Sequence, residues 1–179
     1  MRRHVLVAVP VVLLAVGCSG ESGPGEGGAT SSAAAVASSS VAPAQAPASP
    51  EPTANGPCPY LSDADVAQFN GQHVGKVRVS ADKPHPACFF YRPNGEEQLR
   101  VQVYVGTPEV AKALVDAIAP VATSSPVTID GGWKGGAQLT EKGSVFAVAN
   151  GGKAVAAVSN QKRTIAPKRA VEKATSAMG

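Results

Sequence analysis

Three cysteines carry the most specific chemistry in this sequence, and their settings differ. Cys18 ends the run Leu14-Ala15-Val16-Gly17-Cys18, which closes an apolar stretch over residues 5–17 and follows the basic pair Arg2 and Arg3. A basic start, a short apolar segment and a small residue before the cut make an export signal. With cysteine directly after the cut, the pattern is a lipobox. It predicts cleavage before Cys18 and acyl chains attached there, although Ala15 stands where leucine is commoner. The competing readings are plain secretion and a retained anchor. Thirteen apolar residues interrupted by Pro10 fall short of the roughly 20 that cross a bilayer. Each buried methylene adds about 0.8 kcal/mol, so more than one acyl chain gives stable attachment.

Cys58 and Cys88 then remain as a pair in an oxidising compartment. A structural disulfide between them would close a loop of roughly 30 residues and stabilise the fold by about 3–4 kcal/mol. Free or redox thiols and a zinc site with His73 and His85 are the alternatives. A redox pair normally reads Cys-x-x-Cys, and zinc sites usually contain a closely spaced ligand pair. Neither pattern occurs here, so no metal and no cofactor are expected. The catalytic signals are equally thin. No serine stands in a Gly-x-Ser-x-Gly elbow, no His-Glu-x-x-His occurs, and Asp63 and Asp65 fit helix capping better than acid–base work.

The chain's only tryptophan lies between two glycine pairs, Gly131-Gly132-Trp133-Lys134-Gly135-Gly136. One reading is an aromatic platform on a tight turn, with Lys134 as its charged neighbour, open to a sugar, a lipid or a protein. The other folds the indole back as a lid over the core. A phosphate loop is excluded by the missing Gly-Lys-Ser/Thr.

These residues need a frame. Residues 1–17 form the predicted signal peptide. Gly, Ala, Ser and Pro supply 30 of the 39 positions in residues 19–57, too little bulk to offset ordering entropy. Residues 18–57 are therefore expected to be a lipid-anchored flexible linker, with an r.m.s. reach of about 35 Å. Residues 58–179 make one domain with 14 basic and 10 acidic residues. That balance falls well short of a nucleic-acid footprint. The basic residues thicken late, at Lys153, Lys162, Arg163, Lys168, Arg169 and Lys173 against Glu172, which is either a solvated helix and its approach or a face for anionic headgroups or wall polymer.

Within the domain, Ser62 to Asp65 is a capping box stapled by Leu61 and Val66, and Asn70-Gly71 ends that helix. Val77 and Val79 alternate with Lys76 and Arg78, as in a half-buried strand. Residues 87–92 and 98–105 flank Pro93-Asn94-Gly95 as a hairpin, with Leu99, Val101, Val103 and Val105 facing in. Thr107-Pro108 starts a second helix with an apolar stripe of Val110, Leu114, Ala117 and Ile118. Residues 145–149 and 154–159 flank Asn150-Gly151-Gly152-Lys153 as another hairpin. Pro167 opens a last helix presenting Ala170, Val171 and Ala174. Antiparallel pairs separated by helices predict an α+β layered fold.

Several of these pieces resemble one known group: Cys58-Pro59-Tyr60-Leu61, Asn70-Gly71-Gln72, Pro86-Ala87-Cys88-Phe89-Phe90, Gly132-Trp133 with Gly135-Gly136, and Ser159-Asn160-Gln161. In order and spacing the chain resembles actinobacterial lipoproteins of the domain of unknown function 2020 family. The resemblance implies an envelope lipoprotein with two paired cysteines, and it carries no catalytic residues. The element order is also similar to the Mog1/PsbP-like sandwich, an antiparallel sheet covered by helices; fold alone does not carry function. The expected role is a non-catalytic binding or accessory module on the extracytoplasmic face of the cell membrane. Its expected partners are the membrane, through the lipid anchor, and an envelope protein. With aromatic residues at 4%, a stacked glycan groove is disfavoured; a lipid or glycan carrier and a hydrolase assembled from scattered residues are the alternatives. Oligomeric state is left open.

Overall fold

The computed structural model describes residues 44–178, which lie in a compact unit spanning residues 41–179. Cys18, the expected signal peptide and most of the expected linker lie outside the described residues. Eight strands form one antiparallel sheet: β1 (Ala54–Asn55), β2 (Lys76–Val79), β3 (Cys88–Tyr91), β4 (Glu97–Val105), β5 (Ser125–Ile129), β6 (Trp133–Thr140), β7 (Gly143–Asn150) and β8 (Lys153–Ser159). Their spatial order is β1-β2-β3-β4-β8-β7-β6-β5. Among the described residues there are also three helices: α1 (Asp63–Asn70), α2 (Pro108–Ile118) and α3 (Ile165–Ala177). The α+β expectation holds.

Strand alternation divides the interior. Leu99, Val101 and Val103 of β4, Phe146 and Val148 of β7, and Val155 and Ala157 of β8 face α1 and α3. The intervening residues Val145, Ala147, Ala154 and Ala156 face α2. Small side chains on β7 and β8 let α2 approach the sheet closely, through Ala111, Leu114 and Val115.

Local signals account for most of the boundaries. The Ser62 hydroxyl accepts from the Asp65 N–H at 3.1 Å, and the Asp65 carboxylate accepts from the Ser62 hydroxyl at 2.7 Å and N–H at 3.0 Å. These bonds hold the Asp65 carboxyl below its ordinary range. Gly71, at φ 68°, closes α1 in the left-handed region. Leu61 and Val66 are both buried. Thr107 caps α2 by accepting from the Val110 N–H at 3.4 Å.

Three expectations shift, and one hairpin had not been expected. The α2 stripe is rotated, since Ala111, Leu114 and Val115 are buried while Ala117 is exposed; the helix packs against a sheet of small residues, which sets its roll. Val105 is 47% exposed because β4 has run past its covering helices. The last helix starts at Ile165, two residues before Pro167. Proline loses nothing in the first turn, where N–H groups have no intrahelical partner. Residues 125–140 form the β5–β6 hairpin, although glycine and proline obscure its alternation.

The linker also ends earlier than residue 57. β1 pairs with β2, the Thr53 N–H donates to the Val79 carbonyl at 2.9 Å, and residues 46–53 lie along the sheet. Alanine and proline do carry this segment into contact, because an extended Pro-rich chain has less entropy to lose on docking. The two sheet edges are short or proline-bearing, β1 with two residues and β5 with Pro126, which limits edge-to-edge pairing.

Candidate functional site

Cys58 and Cys88 are joined, with Cα atoms 5.5 Å apart. Cys88 is fully buried in the core beside Phe90. Next to the bridge, the Tyr60 hydroxyl meets Nδ1 of His85 at 3.2 Å. Burial pushes the Tyr60 phenol up to about 12, so it stays protonated at neutral pH. His73 is exposed and contributes its backbone carbonyl to Gln98 Nε2 at 2.9 Å. The Ser80 hydroxyl, which is buried, donates to Asp82 at 2.6 Å and accepts from the Ala87 N–H at 2.8 Å. Among the described residues no group of three His, Cys, Asp or Glu side chains is placed to hold a metal.

Trp133 is 8% exposed and belongs to the core. It opens β6 opposite Ile129, and Lys134 is exposed as its neighbour along the strand. Adjacent strand residues point to opposite faces, so the two side chains do not share one platform. The surrounding glycines have separate jobs. Gly131 and Gly132, at φ 80° and 79°, form the β5–β6 turn, whereas a Cβ on Gly135 would lie 1.9 Å from the Ala147 carbonyl oxygen.

The structure does bring two distant motifs together. Asn70 and Gln72, at the end of α1, meet Ser159 and Asn160 at the end of β8, with Gln98 of β4 between them. The Ser159 hydroxyl donates to Asn70 Oδ1 at 2.6 Å, and Asn70 Nδ2 lies 3.1 Å from both Gln72 Oε1 and Asn160 Oδ1 and 3.2 Å from Gln98 Oε1. Asn70, Gln98 and Ser159 are buried, and buried amides demand such partners. The cluster is a clasp between helix and sheet. Asn70→Ala should cost about 2–3 kcal/mol, because it leaves buried groups without partners; urea unfolding checks this, and a cost under about 1 kcal/mol would mean that water replaces the amide.

The open surface lies on the α2 side of the sheet. There α2 covers β7 and β8, while β4 is flanked by the extended segment 46–53. Between them runs a groove floored by Arg100, Gln102, Ala156 and Val158 and walled by Leu114 and Ile118, with a cavity volume of about 290 Å³. A second cavity of about 510 Å³ lies on the other side of Gln102, and Pro47 and Ser49 border both. The guanidinium of Arg100 stacks 5.9 Å from the centre of the Phe89 ring and lies 3.9 Å from the Glu97 carboxylate. Burial raises the Glu97 carboxyl, and Arg100 offsets part of that shift. Sequence reasoning missed this groove; the outward residues Arg100, Gln102 and Tyr104 were its only signal.

No curated protein matches the chain. The family model for a domain of unknown function (DUF2020) matches residues 41–179, beginning before Cys58 and taking in the segment that lies along the sheet. On that match, the chain belongs to the DUF2020 family.

Proposed function

We propose that this is an actinobacterial envelope lipoprotein, anchored through Cys18 on the extracytoplasmic face of the cell membrane. Its α+β domain acts as a non-catalytic binding or accessory module for an envelope protein. The observation that supports this reading is the groove beside α2, where an extended Pro-rich segment of the chain already lies against Gln102. A surface that accepts one extended polypeptide has the shape and the mixed polar and apolar lining to accept another. Arg100 and Gln102 provide hydrogen-bond donors, and Leu114, Ile118 and Val158 provide apolar contact. A lipid carrier calls for an enclosed apolar cavity instead. For a hydrolase, His85 would have to activate a nucleophile; its Nδ1 meets the Tyr60 hydroxyl instead, and the Ser80 hydroxyl that lines the same cavity is bonded to Asp82 and the Ala87 N–H.

The test is photo-crosslinking in intact cells, with the probe at Gln102, at Ala117 and, as control, at the exposed Gln68 of α1. A discrete protein adduct from Gln102 and Ala117, absent from Gln68, is the expected result. It should partition with membranes in the parent chain and with the medium in Cys18→Ala. A lipid or glycan adduct would turn the reading into a carrier, and silence at both groove positions would overturn it.

A further inference from the structure

At one end of the sheet, the β6–β7 turn is bound to the loop between β8 and α3. Lys162 Nζ donates to the Thr140 carbonyl at 3.2 Å and the Glu141 carbonyl at 2.6 Å. The buried Ser144 hydroxyl is shared between the carbonyls of Gln161, at 2.7 Å, and Arg163, at 2.9 Å. These bonds fix two loops that would otherwise be free to move apart.

Beside these loops, the end of β6 and the start of α3 present apolar side chains to solvent. Leu139 is 61% exposed and Ile165 is 59% exposed. Leu139 borders an open depression of about 500 Å³ that also reaches Val127, Phe146, Thr164 and Lys168, and Ile165 follows Thr164 in the chain. Lys142, Lys162 and Arg163 are exposed at the same end, and Lys168 borders the depression. Against these four cations stand Glu141 in the turn, Glu172, which pairs with Lys168 at 3.5 Å, and Glu97, which shares a depression with Lys142 but is itself offset by Arg100. The excess is positive, and it surrounds two exposed aliphatic residues.

We infer that this end of the domain docks on an anionic bilayer surface. Leu139 and Ile165 enter the headgroup region, and Lys142, Lys162, Arg163 and Lys168 face lipid phosphates. The chemistry matches on both counts, since apolar side chains gain by leaving water and cations gain in the negative surface potential. The patch is small, so its affinity in isolation is weak. The inference rests on the lipid-anchored reading only for the nearness of a bilayer, because a tether supplies the high effective concentration that a weak contact needs.

Vesicle flotation tests the contact without the anchor. The unlipidated chain from Ser19 onward, which keeps the whole folded unit, is mixed with vesicles of phosphatidylcholine alone or in equal mixture with phosphatidylglycerol. Binding is expected only to the mixed vesicles and should fall with added salt. Leu139→Asp with Ile165→Asp should weaken partitioning by at least about tenfold, and so should Lys142→Glu with Arg163→Glu, which leaves the Lys162 tie in place. The charge-matched pair Lys76→Glu and Lys112→Glu, on the other edge and on α2, should change it less than about threefold. Circular dichroism confirms that each variant is folded. Absence of binding to the mixed vesicles would overturn the inference. So would binding that survives the aspartate pair and is competed away by soluble polyphosphate, which would identify a polyanion surface instead. The anchor itself is read separately, from the location of Cys18→Ala.

Discussion

Trp133→Ala is expected to lower the unfolding free energy by about 3–5 kcal/mol, the range for removing a large buried aromatic. The indole is 8% exposed and packs in the core that β4, β7 and β8 share with α1 and α3. It also opens β6 opposite Ile129, so its loss removes the first side-chain pair of the β5–β6 hairpin. A cavity at the end of that hairpin can collapse only by moving Gly131 and Gly132, whose left-handed φ values already define the turn. Urea unfolding followed by far-ultraviolet circular dichroism measures the cost, since the variant has no tryptophan to report it. In the parent chain the single indole should emit at short wavelength and resist acrylamide quenching. A cost below about 1 kcal/mol with a readily quenched indole would restore the exposed platform and sink the core assignment.

Removing the disulfide should have the next largest effect. The bridged residues are 30 apart in sequence, and closing such a loop restricts the unfolded chain by about 3–4 kcal/mol in the entropy model. The loop contains α1 and β2, so the bridge ties the entry of α1 to the core strand β3. Cys58→Ala with Cys88→Ala, and the parent chain under reductant, should unfold at matching urea concentrations, both well below the oxidised protein. Agreement between the two isolates the cross-link from the small volume lost on replacing sulfur. If the double variant were less than about 1 kcal/mol weaker, restriction of the unfolded chain could not be the bridge's contribution.

Much of the fold was legible because its signals are local. Ser62 and Asp65 cap α1 whatever lies elsewhere, Pro93-Asn94-Gly95 turns the β3–β4 hairpin, and Val101 and Val103 alternate with Gln102. The β5–β6 hairpin was illegible because Pro126, Gly135 and Gly136 replace the side chains that reveal a two-residue period. Residues 46–57 read as linker for a similar reason. Their contact with the sheet depends on β2, β4 and α2 being assembled first, and alanine and proline carry no mark of it.

By itself, then, the sequence determined the α+β class, the two main hairpins, the starts of α1 and α2 and the expected pairing of Cys58 with Cys88. Tertiary structure decided where Trp133 and Lys134 point, how Asn70 meets Ser159 across 89 positions of chain, and which strip of sheet α2 leaves open. Capping, turns and alternation act over a few residues and leave their pattern in the chain. Register between distant strands and the roll of a helix on a sheet are settled by packing among residues far apart in sequence, and no local pattern encodes them.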